Sequence, residues 1–319
     1  LPMVSARQIA VKTANFIREG ARITNLGVSF AGPVNADGVV IKSPNIFGAT
    51  LENIPYAQYL SNVTGLKTGV ANDMVAAGFG QMRWGTAKGL DNFLVVTVSS
   101  GIGANAFLNR QPIIGQNGMA GEIGHMPVFR PEEAARAHEF YCACGKWGHL
   151  EAISSGNNAA VVALNKAINF YMRNDFRIKD SNVLMSLRSK AFELAQVIAN
   201  NGSGSEEARK SVNVEVGKGY SRGDWFTKEV YGTVIPPVAH ALVLADIKYD
   251  MDKVVLVGSY GLKMPGYVEV LNNVLKTHLN NTGFGFKSND GFAKNFVIKG
   301  VDMRAEKAAA TIPWQVSPE

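Results

Sequence analysis

Residues 121–151 read GEIGHMPVFRPEEAARAHEFYCACGKWGHLE. The stretch holds three of the five histidines, His125, His138 and His149, and both cysteines. Cys142 and Cys144 are one residue apart and His149 follows five residues after Cys144, with Gly145 and Gly148 free to fold the backbone so that the three side chains turn inward. Adding His125 makes four nitrogen and sulfur donors. That is the complement of a closed tetrahedral zinc site, and thiolates with imidazoles suit zinc better than magnesium or calcium. A C-x-C pair is also compatible with two buried free thiols, and His138 is a spare donor in the intervening loop.

At 319 residues, with 46% hydrophobic and 18% charged residues, the chain is long enough for two globular domains with a sizeable core. No apolar run approaches the ~20 residues that span a bilayer, and the first residues lack the basic flank and apolar core of a signal peptide. A cytoplasmic location is therefore expected, and two cysteines placed as metal ligands fit a reducing compartment. The formal charge of +6 is compatible with nucleic acid or a phosphorylated ligand, but no dense Lys/Arg cluster selects either.

Outward from this stretch, strands and helices alternate, which argues for an α/β protein. Apolar spacing predicts a helix over 5–20 with Ser5 as N-cap, strands over 23–30 and 39–41, and a helix over 55–63. A strand over 68–71 runs through Asn72-Asp73 into an Ala-rich helix; read alone, the pair is an N-cap. NFLVVTV at 92–98 is a buried strand delivering SSGIGAN at 99–105, whose small residues let backbone amides approach a phosphate. Asn109-Arg110 reads as a hairpin turn between 104–108 and 111–114. Helical spacing then recurs over 159–172, 184–199, 206–216 and 226–247, the last interrupted at Pro236-Pro237. A strand over 253–257, a helix over 266–280, a strand over 296–298 and a helix over 304–311 complete the chain.

AGEIGH at 120–125, followed by C-x-C-G-x-x-G-H-x-E, resembles the zinc and sugar segment of the ROK family of sugar kinases and sugar-responsive repressors. The family usually has cysteine where this chain has His149, a departure that keeps a zinc ligand. The resemblance implies that His125 holds zinc with one ring nitrogen and faces the sugar with the other, while Glu122 and Glu151 contact sugar hydroxyls. GVSFAGPVNADG at 27–38 resembles the family's P-G-x-V-D segment, with Ala31 and Asn35 departing from its proline and aspartate. Gly32 there admits backbone to the sugar, and Asn45 is either a sugar contact or a simple loop asparagine. Asn72 and Asp73 match the sugar-binding asparagine and catalytic aspartate. SSGIGAN resembles the G-T-G-I-G-x-G turn that meets ATP phosphates, implicating Ser100, Gly101 and Gly103. Ser99-Ser100 replace Gly-Thr and Asn105 replaces a small residue, making a less flexible loop. VVLVGSYG at 254–261 resembles the adenosine-side strand and turn, with Gly258, Ser259 and Gly261 as nucleotide contacts; an ordinary strand-to-helix turn is the alternative. The family's D-x-G-G-T loop does not occur in this sequence, which begins just before the family's first helix.

The resemblance implies the actin-like ATPase (ribonuclease H-like) fold, two α/β domains with an interdomain cleft. Residues 1–91, completed by a helix over 304–319, form one domain; residues 92–303, with the zinc loop and helical region, form the other. The implied activity is ATP-dependent phosphorylation of a hexose hydroxyl with Asp73 as general base, Mg2+ on the nucleotide and a structural Zn2+ on His125, Cys142, Cys144 and His149. Alternatives are a kinase of N-acetylmannosamine or N-acetylglucosamine, and a non-catalytic sugar-sensing regulator marked by an N-terminal helix-turn-helix. The implied partners are a hexose, a nucleotide and a second copy in a homodimer, with no membrane, and nucleic acid only where such a helix-turn-helix is present.

Overall fold

The computed structural model describes residues 2–18, 23–48, 50–128, 140–200, 204–280, 296–302, 308–309 and 312. It divides into two compact units, one of Leu1–Val95, Asn105–Glu122 and Gly300–Glu319, the other of Val96–Ala104 and Ile123–Lys299.

The first unit begins with α1 (Pro2–Arg18), β1 (Asn25–Phe30), β2 (Val40–Lys42), α2 (Pro44–Phe47), β3 (Glu52–Ile54), α3 (Tyr56–Thr64), β4 (Lys67–Asn72) and α4 (Asp73–Trp84). Helix α1 starts before Ser5, whose hydroxyl is spent on the Tyr56 hydroxyl at 2.7 Å rather than on a cap. Strands β1 and β4 pair in parallel, with Phe30 opposite Asn72, and β2 pairs antiparallel with β3, a strand that the sequence reading missed. Phe30, Phe47 and Tyr56 form a ring cluster with centroids 5.3–5.9 Å apart, closed by Ala6, Val34, Val40, Leu60 and Val70. Asn35 departs from the expected aspartate but does a carboxylate's local work: its Oδ1 accepts from the Asp37 and Val39 amides at 3.0 Å.

Strands β5 (Phe93–Val98), β6 (Ile102–Leu108) and β7 (Gln111–Pro112) follow, and β5 and β6 contribute residues to both units. Asn109 and Arg110 both have positive φ, 49° and 65°, as a two-residue hairpin turn of the primed type requires. Asn105, read as part of a phosphate loop, lies within β6 and is buried; its Nδ2 donates to the Ile113 carbonyl at 2.9 Å, and the loop itself is only residues 99–101. Phe107 on β6 stacks on Phe93 at 4.8 Å and meets Phe79 of α4 edge-on at 5.2 Å.

The second unit adds α5 (Leu150–Ser154), α6 (Gly156–Met172), α7 (Asn182–Leu187), α8 (Ala191–Ala199), α9 (Ser205–Ser221), α10 (Trp225–Tyr249), β8 (Lys253–Val257), α11 (Ser259–Lys263), α12 (Tyr267–Asn280) and β9 (Val297–Lys299). The larger sheet runs β7-β6-β5-β8-β9, with β8 and β9 parallel. Residues 184–199, read as one helix, divide into α7 and α8. The expected interruption at Pro236-Pro237 does not occur: α10 is continuous through both prolines. Packing against α5, α9 and α12 outweighs the amide donors missing at the two prolines. By length and composition alone α10 could also cross a membrane, where the sequence reading found no apolar run of that length; most of it is buried inside the unit. Of the terminal helix expected over 304–319, residues 308, 309 and 312 fall among the described residues; the first two are α-helical and the third is in a 3-10 turn.

A Cβ at Gly78 in α4 would collide with the Phe107 ring. Replacing glycine by alanine inside a helix ordinarily stabilises by roughly 1 kcal/mol. Gly78→Ala should instead destabilise by about 1–3 kcal/mol, the usual cost of overpacking, because Phe107 is held by Phe93 and Phe79. Thermal melting decides the sign.

Candidate functional site

The β4–α4 junction fixes Asn72 and Asp73. Asn72 is the N-cap: its Oδ1 accepts from the Met74 amide at 2.8 Å, and its Nδ2 donates to the Gly32 carbonyl at 3.0 Å. The parallel register that sets Asn72 opposite Phe30 leaves Gly32 two residues away, at a φ of 145° that favours glycine. Since Asn72 takes the cap, Asp73 is left as the first helical residue. Its carboxyl is reached by solvent yet crowded by surrounding atoms, and this desolvation raises its pKa against hydrogen bonds from the Met74 amide, its own amide and Asn72. Asn45 lies in α2, and its side chain is outside the described part of the structure.

In the second unit two turns meet. The β5–β6 turn is closed by the Ser99 amide donating to the Gly101 carbonyl at 2.9 Å, with Ser100 exposed at its tip. The Ile102 amide donates to Glu151 Oε2 at 2.9 Å, and a Cβ on Gly101 would lie 2.5 Å from that oxygen. On Gly124 a Cβ would collide with the Ile102 carbonyl. Gly156, at the start of α6, donates its amide to the Ser99 carbonyl at 2.7 Å, and a Cβ there would sit 2.8 Å from the same oxygen. The turn after β8 closes the cluster. Gly258 has φ 91°, and a Cβ on it would meet Thr97 Oγ1 at 2.5 Å and the Val98 carbonyl at 2.8 Å. Ser259 Oγ lies 3.0 Å from Ser99 Oγ. Gly261 is buried against Leu256, and Gly103 lies inside β6.

The third element is the loop around the cysteines. A bridge pairs Tyr141 with Trp147, the Cys142 amide donates to the Lys146 carbonyl at 2.8 Å, and Gly145, at φ 87°, donates to the Cys142 carbonyl at 2.9 Å. Pro127 pairs with His149, and Val128 and Leu150 bond across to Gly148 and Met126, which brings the 3-10 turn Ile123–His125 against the hairpin. One donor atom from each of His125, Cys142, Cys144 and His149 lies within 4.8 Å of every other. Cys144 Sγ is 3.2 Å from His149 Nδ1, and Cys142 Sγ is 3.7 Å from His125 Nδ1. Tetrahedral zinc with ordinary bond lengths separates its ligands by roughly 3.3–3.8 Å, so the donor set fits that ion in number and type, with the two Cys–His separations close to that range and wider pairs needing to draw inward. Burial pushes the Cys142 thiol up to about 11 and holds His149 below the ordinary imidazole value. Without a cation that thiol would stay protonated, and metal binding would have to displace its proton. His138 lies outside the described residues. Glu122 is half-buried at the end of a segment anchored by Asn105, whose Nδ2 also reaches the Ala120 carbonyl at 3.4 Å.

Within the second unit, then, the structure brings together the four metal-ligand candidates, and separately Gly101, Gly258 and Ser259; in the first it joins Gly32 to Asn72 and sets Asp73 beside them. Sequence reasoning assigned no site role to Ser99, Gly124, Ser155 and Gly156. Ser155 caps α6 through its side chain, and a Ser-Gly pair just behind Glu151 was the available signal.

A protein-family model described as the ROK family matches residues 7–287. A C(7)-cyclitol 7-kinase of Streptomyces hygroscopicus subsp. limoneus is 42% identical over 134 residues, 42% of this chain and 36% of that protein. An N-acetylmannosamine kinase of Escherichia coli O6:H1 is 25% identical over 251 residues, 79% of this chain and 69% of that protein. The match to the first of these relatives thus spans less than half of that protein's length. In fold, the chain resembles the crystal structure of a ROK hexokinase from Thermus thermophilus, with a TM-score of 0.65 at 22% identity over 97% of this chain and 84% of that one. This bears out the actin-like ATPase architecture.

The Glu151–Ile102 bond yields a stability prediction. Glu151→Ala strips the Ile102 amide of its acceptor and should cost about 1–2 kcal/mol in thermal or urea unfolding. Glu151→Gln, which keeps an acceptor oxygen at the same reach, should cost less than half of that.

Proposed function

Because the chain belongs to the ROK family, we propose that it transfers the γ-phosphoryl group of ATP to a hydroxyl of a hexose, with Asp73 as general base. The observation that carries this reading is the division of labour at the start of α4. Asn72 does the capping, so Asp73 is not needed for it, and the Asp73 carboxyl has its pKa raised by desolvation toward the range of a working base. As the hydroxyl oxygen attacks phosphorus, its proton passes to Asp73 and the bond to the ADP oxygen breaks. Positioning and charge stabilisation supply the rest, with Mg2+ carried on the nucleotide.

The turn at Ser100, Gly101 and Gly103, and the turn at Gly258, Ser259 and Gly261, are the proposed nucleotide contacts. Gly32, Asn45, Asn72, Glu122, His125 and Glu151 are the proposed sugar contacts, and a second copy of the chain is the proposed partner in a dimer. His125, Cys142, Cys144 and His149 would hold a structural zinc ion, which supplies folding free energy to the loop rather than chemistry. The second reading is a kinase of an N-acetylated hexosamine, favoured by the N-acetylmannosamine kinase match over 79% of the chain. A substrate panel of glucose, N-acetylmannosamine and a cyclitol, scored by ADP release, separates the two. In the full-length protein, sugar binding with no ADP release from any of these would end the kinase reading in favour of a sugar sensor.

Asp73→Asn should leave sugar affinity nearly unchanged and lower kcat by about 10²- to 10⁴-fold. The parent's kcat should fall on the acid side along a limb lying above the ordinary aspartate value, because the base must be ionised and its pKa is raised. The raised folded-state pKa also means that ionising Asp73 penalises folding once pH passes the ordinary aspartate value. The variant should accordingly melt no lower than the parent at neutral pH. Near-normal turnover in Asp73→Asn would remove Asp73 from the mechanism.

Metal analysis should return one zinc per chain. Cys142→Ser/Cys144→Ser should lose the metal and melt lower, while His149→Cys should keep it, since a thiolate can take the same tetrahedral position. A zinc-free parent protein would sink the assignment.

A further inference from the structure

We propose that the Ser99–Ser259 hydroxyl pair is a positioning device for the phosphoryl donor, fixing the spacing of the β5–β6 turn and the turn after β8 before the donor's phosphate chain arrives. The inference rests on the kinase reading above. Its starting point is a residue which that reading leaves without a role: Ser99 stands where a glycine would leave the turn more flexible, and its hydroxyl lies 3.0 Å from Ser259 Oγ, 160 positions away in the chain.

The backbone around the pair is already fixed on both sides. The Gly156 amide bonds to the Ser99 carbonyl at 2.7 Å, and Gly156 has no Cβ to push that carbonyl away. Gly258 lies so close to Thr97 and Val98 that a side chain on it would meet both. The strand ends β5 and β8 therefore abut through backbone atoms, and β5 and β8 are neighbours in the sheet. The carboxyl ends of adjacent strands are where open α/β sheets receive ligands. What the backbone leaves free is the rotamer of each serine. A hydroxyl has a single proton to donate and lone pairs to accept with, so in the pair one serine donates and the other keeps its proton for an anionic oxygen. Holding Ser259 in one rotamer before binding removes an ordering cost that an unpaired hydroxyl would incur on meeting a phosphate. Ser99 thus acts through Ser259 and is a positioning residue rather than a contact.

Calorimetric titration of Mg·AMPPNP into the full chain and into Ser99→Ala, Ser259→Ala and the double variant tests this. Ser99→Ala should raise Kd about 3- to 10-fold, the range spanned by one net hydrogen bond. The same substitution should have no further effect in the Ser259→Ala background, because its partner is already gone. Melting temperatures should match the parent's, whereas a merely structural role would move them and leave Kd alone. An unchanged Kd for Ser99→Ala, or an effect that persists in the Ser259→Ala background, overturns the pair and leaves the kinase reading standing. A parent chain that does not bind Mg·AMPPNP overturns the pair and the nucleotide reading together.

Discussion

The hydrogen bond from the Ile102 amide to the Glu151 carboxylate exists because the residues around it have no side chains. Gly101 clears space for the carboxylate itself, Gly124 lets the GEIGH segment close on the Ile102 carbonyl, and Gly156 lets the next helix begin directly against Ser99. The consequence is a compact arrangement in which a strand end, a short helix and the start of a 17-residue helix share atoms of one turn. Glu151 belongs to that arrangement as firmly as it belongs to the sugar contacts implied by the family pattern. Its backbone carbonyl also accepts from Asn158 Nδ2 at 3.0 Å and from the Ser155 amide at 3.2 Å.

The metal-ligand cluster is built on the same segment from the opposite side. His125 ends the turn that Gly124 permits, and His149 immediately precedes the helix that carries Glu151. A cation binding those four donors would hold both ends of the segment 126–148, and with them the approach of Gly124 to Ile102. In this sense two of the proposed zinc ligands, His125 and His149, sit within two residues of the contacts that shape the turn, and not in a separate structural module.

Much of this was legible in the sequence, and the exceptions have physical reasons. The α/β alternation, the buried strand at 93–98, the Asn109-Arg110 turn and the grouping of two cysteines with two histidines follow from patterning, turn chemistry and donor type, which are local properties. The Asn72-Asp73 pair was legible as a cap but not as a divided one; which of the two residues caps depends on the Gly32 carbonyl, forty residues away. Ser5 looked like a helix start because nothing local announces its bond to Tyr56. Pro236 and Pro237 argued for a break that tertiary packing overrides. The division of 184–199 into two helices has no glycine or proline to mark it. Ser99 was read as a departure that stiffens a loop; its partner, Ser259, lies on another strand end, and no sequence pattern links the two.

The glycine cluster also limits how this chain can change over generations. Any base change that replaces a glycine either adds a Cβ or ends the chain. At positions 101, 124, 156 and 258 that single carbon would land on a carboxylate oxygen or a backbone carbonyl. Positions 124, 156 and 258 are the stricter ones, because a backbone carbonyl cannot rotate aside as a side chain can. Descendants of this sequence can therefore replace these glycines far less freely than glycines such as Gly232, around which a Cβ would find open space.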